Sequence, residues 1–175
     1  MAGMRGKQTV RGMVQSLAVV LAAAFVVYLF VPHDDSADPV KAVDYRVELL
    51  TARRAAPYPV VAPAGLPEGW KATSVSYKRQ SDDQWHLGFL DPDGRYVAIE
   101  QSTAPAGRYI PDVTQRAEKT ERTQQVAGVA WERWEGPKYD ALVRTDEKGS
   151  ITVVTGSASF ERLTEMAAAL ETGKA

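Results

Sequence analysis

The run from residue 13 to 31, MVQSLAVVLAAAFVVYLFV, holds no charged residue, Pro or Gly, and constrains everything else about the chain. A helix rises about 1.5 Å per residue and a hydrocarbon core is about 30 Å thick, so the run is just long enough to cross a bilayer. Arg5, Lys7 and Arg11 precede it with no acid among them, and Asp34, Asp35 and Asp38 follow it. By the positive-inside rule this predicts a single transmembrane helix over residues 13–31, a cytoplasmic tail over 1–12 and an exported C-terminal part. Pro32 marks a natural stop, and Tyr28 suits the interface. A cleaved signal peptide is the competing reading. The apolar run exceeds a usual signal core, and the best small-residue site, Ala37, has Asp35 two positions before it. A retained anchor is therefore expected.

The remainder of the 175-residue chain suffices for one domain. The whole chain carries 21 basic and 22 acidic residues, so the part beyond the basic tail is mildly acidic. That argues against nucleic acid as a partner. With no Cys, neither disulfides nor a lipidated cysteine can hold the chain, and an ordinary apolar core must suffice.

Residues 32–62 read as a juxtamembrane spacer followed by a short amphipathic helix, in which Val43, Val47 and Leu50 fall at helical spacing. Pro57, Pro59 and Pro63 then enforce an extended crossing. Residues 63–172 read as the exported domain. Thr73, Val75 and Tyr77 alternate on one strand face, and Trp85, Leu87 and Phe89 on the next. Asp91, Pro92, Asp93 and Gly94 form a hairpin turn into a strand with Val97 and Ile99. Residues 103–111 read as a Pro- and Gly-rich loop, 112–118 as a short helix, and 123–127, 129–135, 139–144 and 151–155 as strands. Trp131 and Trp134 are expected on opposite faces of theirs. Phe160, Leu163, Ala167 and Leu170 mark a terminal helix with Ser157 or Ser159 as its cap. The fold class is α+β, an antiparallel sheet of about six or seven strands with helices packed on one face.

The ordered set of local patterns resembles a known family. It comprises an N-terminal anchor, Val43-Asp44-Tyr45, the stretch from Pro63 through Gly65-Leu66-Pro67 to Gly69-Trp70, Leu87-Gly88-Phe89, Gln101-Ser102, Gly128-Val129-Ala130-Trp131, and Val154-Thr155-Gly156-Ser157-Ala158. Together these resemble an actinobacterial membrane-anchored family, domain of unknown function 4245. The resemblance implies a single-pass membrane protein with an exported domain and supplies no activity.

Chemistry is sparsely signalled. His33 lies in the spacer, and His86 alternates with Trp85 and Leu87, so it is expected to face solvent. A Ser-His-acid arrangement has to use His86, with Ser74, Ser76 and Asp82 as neighbours, but no Gly-x-Ser-x-Gly elbow is present. No catalytic residue is assigned, and the chain is expected to be non-enzymatic. Asp91, Asp93 and Gly94 are a fragment of a calcium loop that a hairpin turn explains, so no metal or cofactor is expected. The segment from Thr155 to Ser159 offers amides to an anion, and helix capping explains it better. The aromatics Trp70, Tyr77, Trp85, Tyr109, Trp131, Trp134 and Tyr139 are expected chiefly to build core, with Trp134 as the best exception; Trp134, Tyr109 and Trp85 are the candidate contacts for a ligand or partner. The leading expectation is an envelope protein that binds a partner protein, with an exposed apolar patch near Trp134 or on residues 43–54. The alternative is a lipid- or cell-wall-glycan-binding module with an aromatic-lined pocket between sheet and helix. A hydrolase requires His86 within hydrogen-bond reach of a Ser and a carboxylate.

Overall fold

The computed structural model describes residues 5–30 and 41–173, and divides the chain into two compact units, Met1–Pro39 and Val40–Ala175. In the first unit, helix α1 spans Arg5–Phe30 and so begins inside the basic tail. Among the described residues no helix is long and apolar enough to cross a membrane. The side chains of Val27, Leu29 and Phe30, and all of Val31, fall outside those residues, as does the spacer over 32–40 with His33.

The second unit opens with helix α2 (Arg46–Ala55) and the short strand β1 (Val61–Pro63). The Asp44 carboxylate accepts from the Arg46 N–H at 3.1 Å and starts the helix, while Arg53 and Arg54 sit in its last turn, where cations complement the dipole. Ala52, Tyr58, Val60 and Val61 are core residues. The compact unit therefore takes in α2, which a domain boundary at residue 63 leaves to the spacer.

Strands β2 (Lys71–Lys78), β3 (Gln84–Leu90) and β4 (Tyr96–Ser102) form the expected meander. After helix α3 (Ala106–Val113) come β5 (Glu118–Val126), β6 (Val129–Glu135), β7 (Asp140–Thr145) and β8 (Ile151–Gly156), then helix α4 (Phe160–Ala168) and strand β9 (Leu170–Thr172). The seven-stranded sheet runs β2-β3-β4-β8-β7-β6-β5, antiparallel throughout, and β1 pairs with β9 separately. Gly156 makes the β4–β8 seam possible: a Cβ there would lie 1.9 Å from the Tyr96 carbonyl oxygen.

One sheet face carries the main core. Trp85, Leu87, Phe89, Val97, Ile99, Trp131, Leu142 and Val154 meet Leu163, Met166 and Ala167 of α4 and Ala52 of α2. The Ser159 hydroxyl caps α4 by accepting from the Arg162 N–H at 3.4 Å. The opposite face carries a second, smaller core, where Tyr109 and Ile110 of α3 pack on Ala141, Val143, Ile151 and Val153, with Trp134 beside them. Helices thus lie on both faces, not one.

Three further departures have local causes. A bulge between Ala72 and Ser74 shifts the register, so Ala72 joins Val75 and Tyr77 toward the main core instead of Thr73. Helix α3 occupies the stretch read as a loop. In eight residues the missing N–H of Pro111 removes one helical bond, and the Thr114 hydroxyl closes the helix end by donating to the Ile110 carbonyl at 2.7 Å. Strand β5 covers the 112–118 helix reading only at its last residue and continues through charged positions, because an edge strand gains protection from charge. The C-terminal helix ends at Ala168, and Leu170 starts β9, where it pairs with Pro63.

Candidate functional site

The β3–β4 hairpin turns at residues 91–94. The Asp91 Oδ1 accepts from the Asp93 and Arg95 N–H groups at 2.9 and 2.7 Å, which closes the hairpin turn. Among the described residues no group of three or more His, Cys, Asp and Glu is placed to hold a metal. The turn pairs residues symmetric about Asp93 and so sets His86 opposite Glu100, while β2–β3 pairing sets Ser76 opposite His86. On the face away from the main core, His86 Nε2 meets Ser74 Oγ at 2.8 Å and His86 Nδ1 meets Glu100 Oε1 at 2.6 Å. The His86 side chain is 22% exposed and that of Glu100 only 8%. His86 therefore does not face open solvent, as alternation alone had suggested.

Glu100 is engaged from its other side as well: the Tyr109 hydroxyl donates to Glu100 Oε2 at 3.4 Å and to the Gln101 carbonyl at 3.2 Å. Burial, with the Glu100 charge next, pushes the Tyr109 phenol well above its ordinary range, so it stays a donor. Tyr96 lies across the row. Its hydroxyl is a hydrogen-bond neighbour of Ser74, and burial pushes its pKa up to about 12. Gly88 makes this crowding possible, since a Cβ there would sit 2.4 Å from Ser74 Oγ and 3.1 Å from the Tyr96 hydroxyl. A hydroxyl, an imidazole, a carboxylate and a phenol thus converge on one sheet face.

Next to this row, a cleft of about 620 Å³ opens between the ends of β3 and β4 and helix α3. Ser81, Asp82, Gln84, Arg108, Tyr109 and Arg116 are among its lining residues. Arg108 pairs with Asp82, and Asp82, Asp83, Gln115 and Arg116 all adopt positive φ around its rim. Such strained backbone collects where a surface is held in a set shape. Tyr109 is the one aromatic among these lining residues, so the cleft is not the aromatic-lined pocket expected of a glycan or lipid module.

A third feature is the outer face of α2. Val47 is 70% exposed and Leu50 53%, with Val43 beside them, whereas Leu49 on the inner face packs on the core. A groove of about 590 Å³ runs past Leu50, Arg53, Pro59 and Val60. Arg53 is fixed there by donating to the Val60 and Glu171 carbonyls at 3.2 and 3.3 Å.

A family model described as "Protein of unknown function (DUF4245)" matches residues 5–170. The chain belongs to that family. No curated protein matches it. The DUF4245 chain places the three aromatic candidates very differently. Trp85 is fully buried, with its indole N–H donating to the Val61 carbonyl at 3.1 Å, so it is a core residue and touches no ligand. Tyr109 is buried but reaches the cleft. Trp134 is half-buried against the second core, opposite in face to Trp131 as expected. The segment after β8 keeps its polar groups occupied: the Ser157 N–H donates to the Tyr96 carbonyl and the Ser157 hydroxyl accepts from the Tyr96 N–H, at 2.9 and 3.1 Å. Sequence reasoning missed Glu100, which reads as one more polar strand residue. Counting outward from the turn at residues 91–94 would have found it opposite His86.

Proposed function

We propose that this DUF4245 chain is a single-pass membrane-anchored protein of the cell envelope whose exported domain binds a partner protein through the outer face of α2. The anchor reading rests on the uncharged run over residues 13–31 and its one-sided basic flank. The binding reading rests on one observation: Val47 and Leu50 stand exposed on α2, and Leu50 lines an apolar groove. A concave apolar groove next to a protruding Leu suits the side chains of a protein better than a fluid lipid surface. Arg46, Arg53 and Arg54 on the same helix favour a partner segment that combines apolar and acidic residues. The alternative of an aromatic-lined ligand pocket is less well supported, because Trp85 is consumed by the core and the cleft at Tyr109 has a single aromatic in its lining.

The test is a photoreactive residue at position 47 of the full chain in intact cells, with position 147 on the distant β7–β8 turn as control. Enrichment of one protein adduct at 47, lost in L50D, supports the reading. Both positions are exposed, so L50D should leave the melting temperature nearly unchanged. Adducts with lipid alone, or equal protein adducts at 47 and 147, overturn it.

A further inference from the structure

The geometry points to a nucleophilic triad of Ser74, His86 and Glu100 that hydrolyses short-chain carboxylic esters on the open face of β2, β3 and β4, an activity separate from partner binding by α2. The distances are those of a nucleophile–base pair, 2.8 Å, and a base–carboxylate pair, 2.6 Å. With its Nδ1 proton held by Glu100, His86 presents Nε2 as an acceptor to the Ser74 hydroxyl. The Glu100 carboxylate is buried and braced by Tyr109, as an orienting group must be. The Tyr96 hydroxyl, kept protonated, is the donor placed beside Ser74 for a developing oxyanion.

The reaction balances without a cofactor. Ser74 Oγ attacks the ester carbonyl carbon while its proton passes to His86 Nε2, and the oxyanion is met by Tyr96. Collapse breaks the ester C–O bond, and the departing alkoxide takes the proton from His86. Water then attacks the acyl-Ser74 carbonyl, giving its proton to His86, which returns it to Ser74 as the carboxylic acid leaves. Ester and water become acid and alcohol. The substrate class follows from the surroundings. Neither the cleft at Tyr109 nor the groove at Leu50 includes Ser74 among its lining residues, and the neighbours of Ser74 are Ser76, His86, Gly88 and Tyr96. These neighbours are small or carry polar atoms, so the fitting substrate is an ester with a short, acetyl-sized acyl chain.

The experiment treats the full chain in detergent micelles with a fluorophosphonate probe and with p-nitrophenyl acetate and octanoate. The expected result is a mass adduct on Ser74 and turnover that prefers acetate. S74A should lower kcat by about 100- to 1000-fold, while T123A, on the exposed strand β5 at the opposite edge of the sheet, leaves it unchanged. S74C preserves the side-chain shape, so loss of the fluorophosphonate adduct with an unchanged melt separates chemistry from folding. Glu100 acts as a positioning residue, and E100Q should lower kcat at unchanged KM. No adduct on Ser74, turnover unchanged in S74A, or a preference for octanoate overturns the proposal.

Discussion

Trp131 and Trp134 share one strand but point into opposite faces of the sheet, and those faces are built for different ends. Trp131 enters a continuous core in which α2, α4 and β1 cover every strand from β2 to β7. Trp134 joins an apolar patch that α3 covers over β7 and β8, and beyond it on that face, where Tyr109 of α3 reaches Glu100, lies the polar row of Ser74, His86 and Glu100. The first face holds the domain together. The second is only half needed for that purpose, which leaves buried polar side chains free to be arranged for chemistry.

The contrast predicts unequal losses. W131A removes a buried indole from a closed core and should cost about 3–5 kcal/mol. W134A removes a half-buried ring from the edge of the smaller core and should cost roughly 1–2 kcal/mol. Urea unfolding of the two variants measures both. Equal losses would mean that α3 closes its face as completely as α4 closes the other.

The core face was largely legible because it depends on alternation, which Trp85, Leu87 and Phe89 state plainly. The small strands β1 and β9 were not, because nothing in three residues announces a strand. Their partners are side chains far away in sequence. Gln101 Oε1 accepts from the Val61 N–H at 2.9 Å, and its amide donates to the Pro59 carbonyl and the Thr152 hydroxyl at 3.2 and 3.1 Å. A buried glutamine clasping an incoming segment has no local signature. The polar row was hidden for a related reason: Ser74, His86 and Glu100 come from three strands, and only strand register brings them together. Alternation placed His86 away from the core correctly, but it cannot distinguish solvent from a polar neighbour.

The two hairpin turns sharpen the comparison. Asp146 repeats the device of Asp91, accepting from the Lys148 and Ser150 N–H groups at 2.9 and 2.8 Å, but it is half-buried where Asp91 is buried. Asp91 is buried and lies 3.9 Å from Arg162 of α4, so its turn is tied to the main core. D91A should therefore cost about 1–2 kcal/mol and D146A less. The Asp146 turn has its own acid signature. Burial alone would raise the carboxyl, but the Ser150 hydroxyl and the N–H groups of Ser150, Lys148 and Gly149 outweigh it and hold the pKa below the ordinary Asp value. A group lowered on folding contributes stability above its unfolded pKa and loses it as pH falls through the folded one. Stability should drop on acidification through and below the usual Asp range, and D146N should flatten that part of the curve. An unchanged acid profile in D146N would show that the turn carboxylate is bound no better folded than unfolded.

The smallest effect lies in the β5–β6 hairpin, where neither device operates. Val126 pairs directly with Val129, so the loop is only Ala127 and Gly128, with φ of +49° and +81°. A two-residue loop with both φ positive matches the right-handed twist of its strands, and glycine or asparagine adopts it readily. Alanine does not: its Cβ crowds the backbone there at a cost of roughly 1 kcal/mol. No aspartate side chain clamps this turn as Asp91 and Asp146 clamp theirs, so strand pairing alone holds Ala127 in place. Ala127 is exposed, so replacing it forfeits no packing. A127N should raise stability by about 0.5–1 kcal/mol, read as a higher urea midpoint at unchanged m-value. A127G should gain less, since glycine relieves the strain but also loosens the unfolded chain. If A127N lowered the midpoint instead, the edge hairpin would owe its register to something other than its turn.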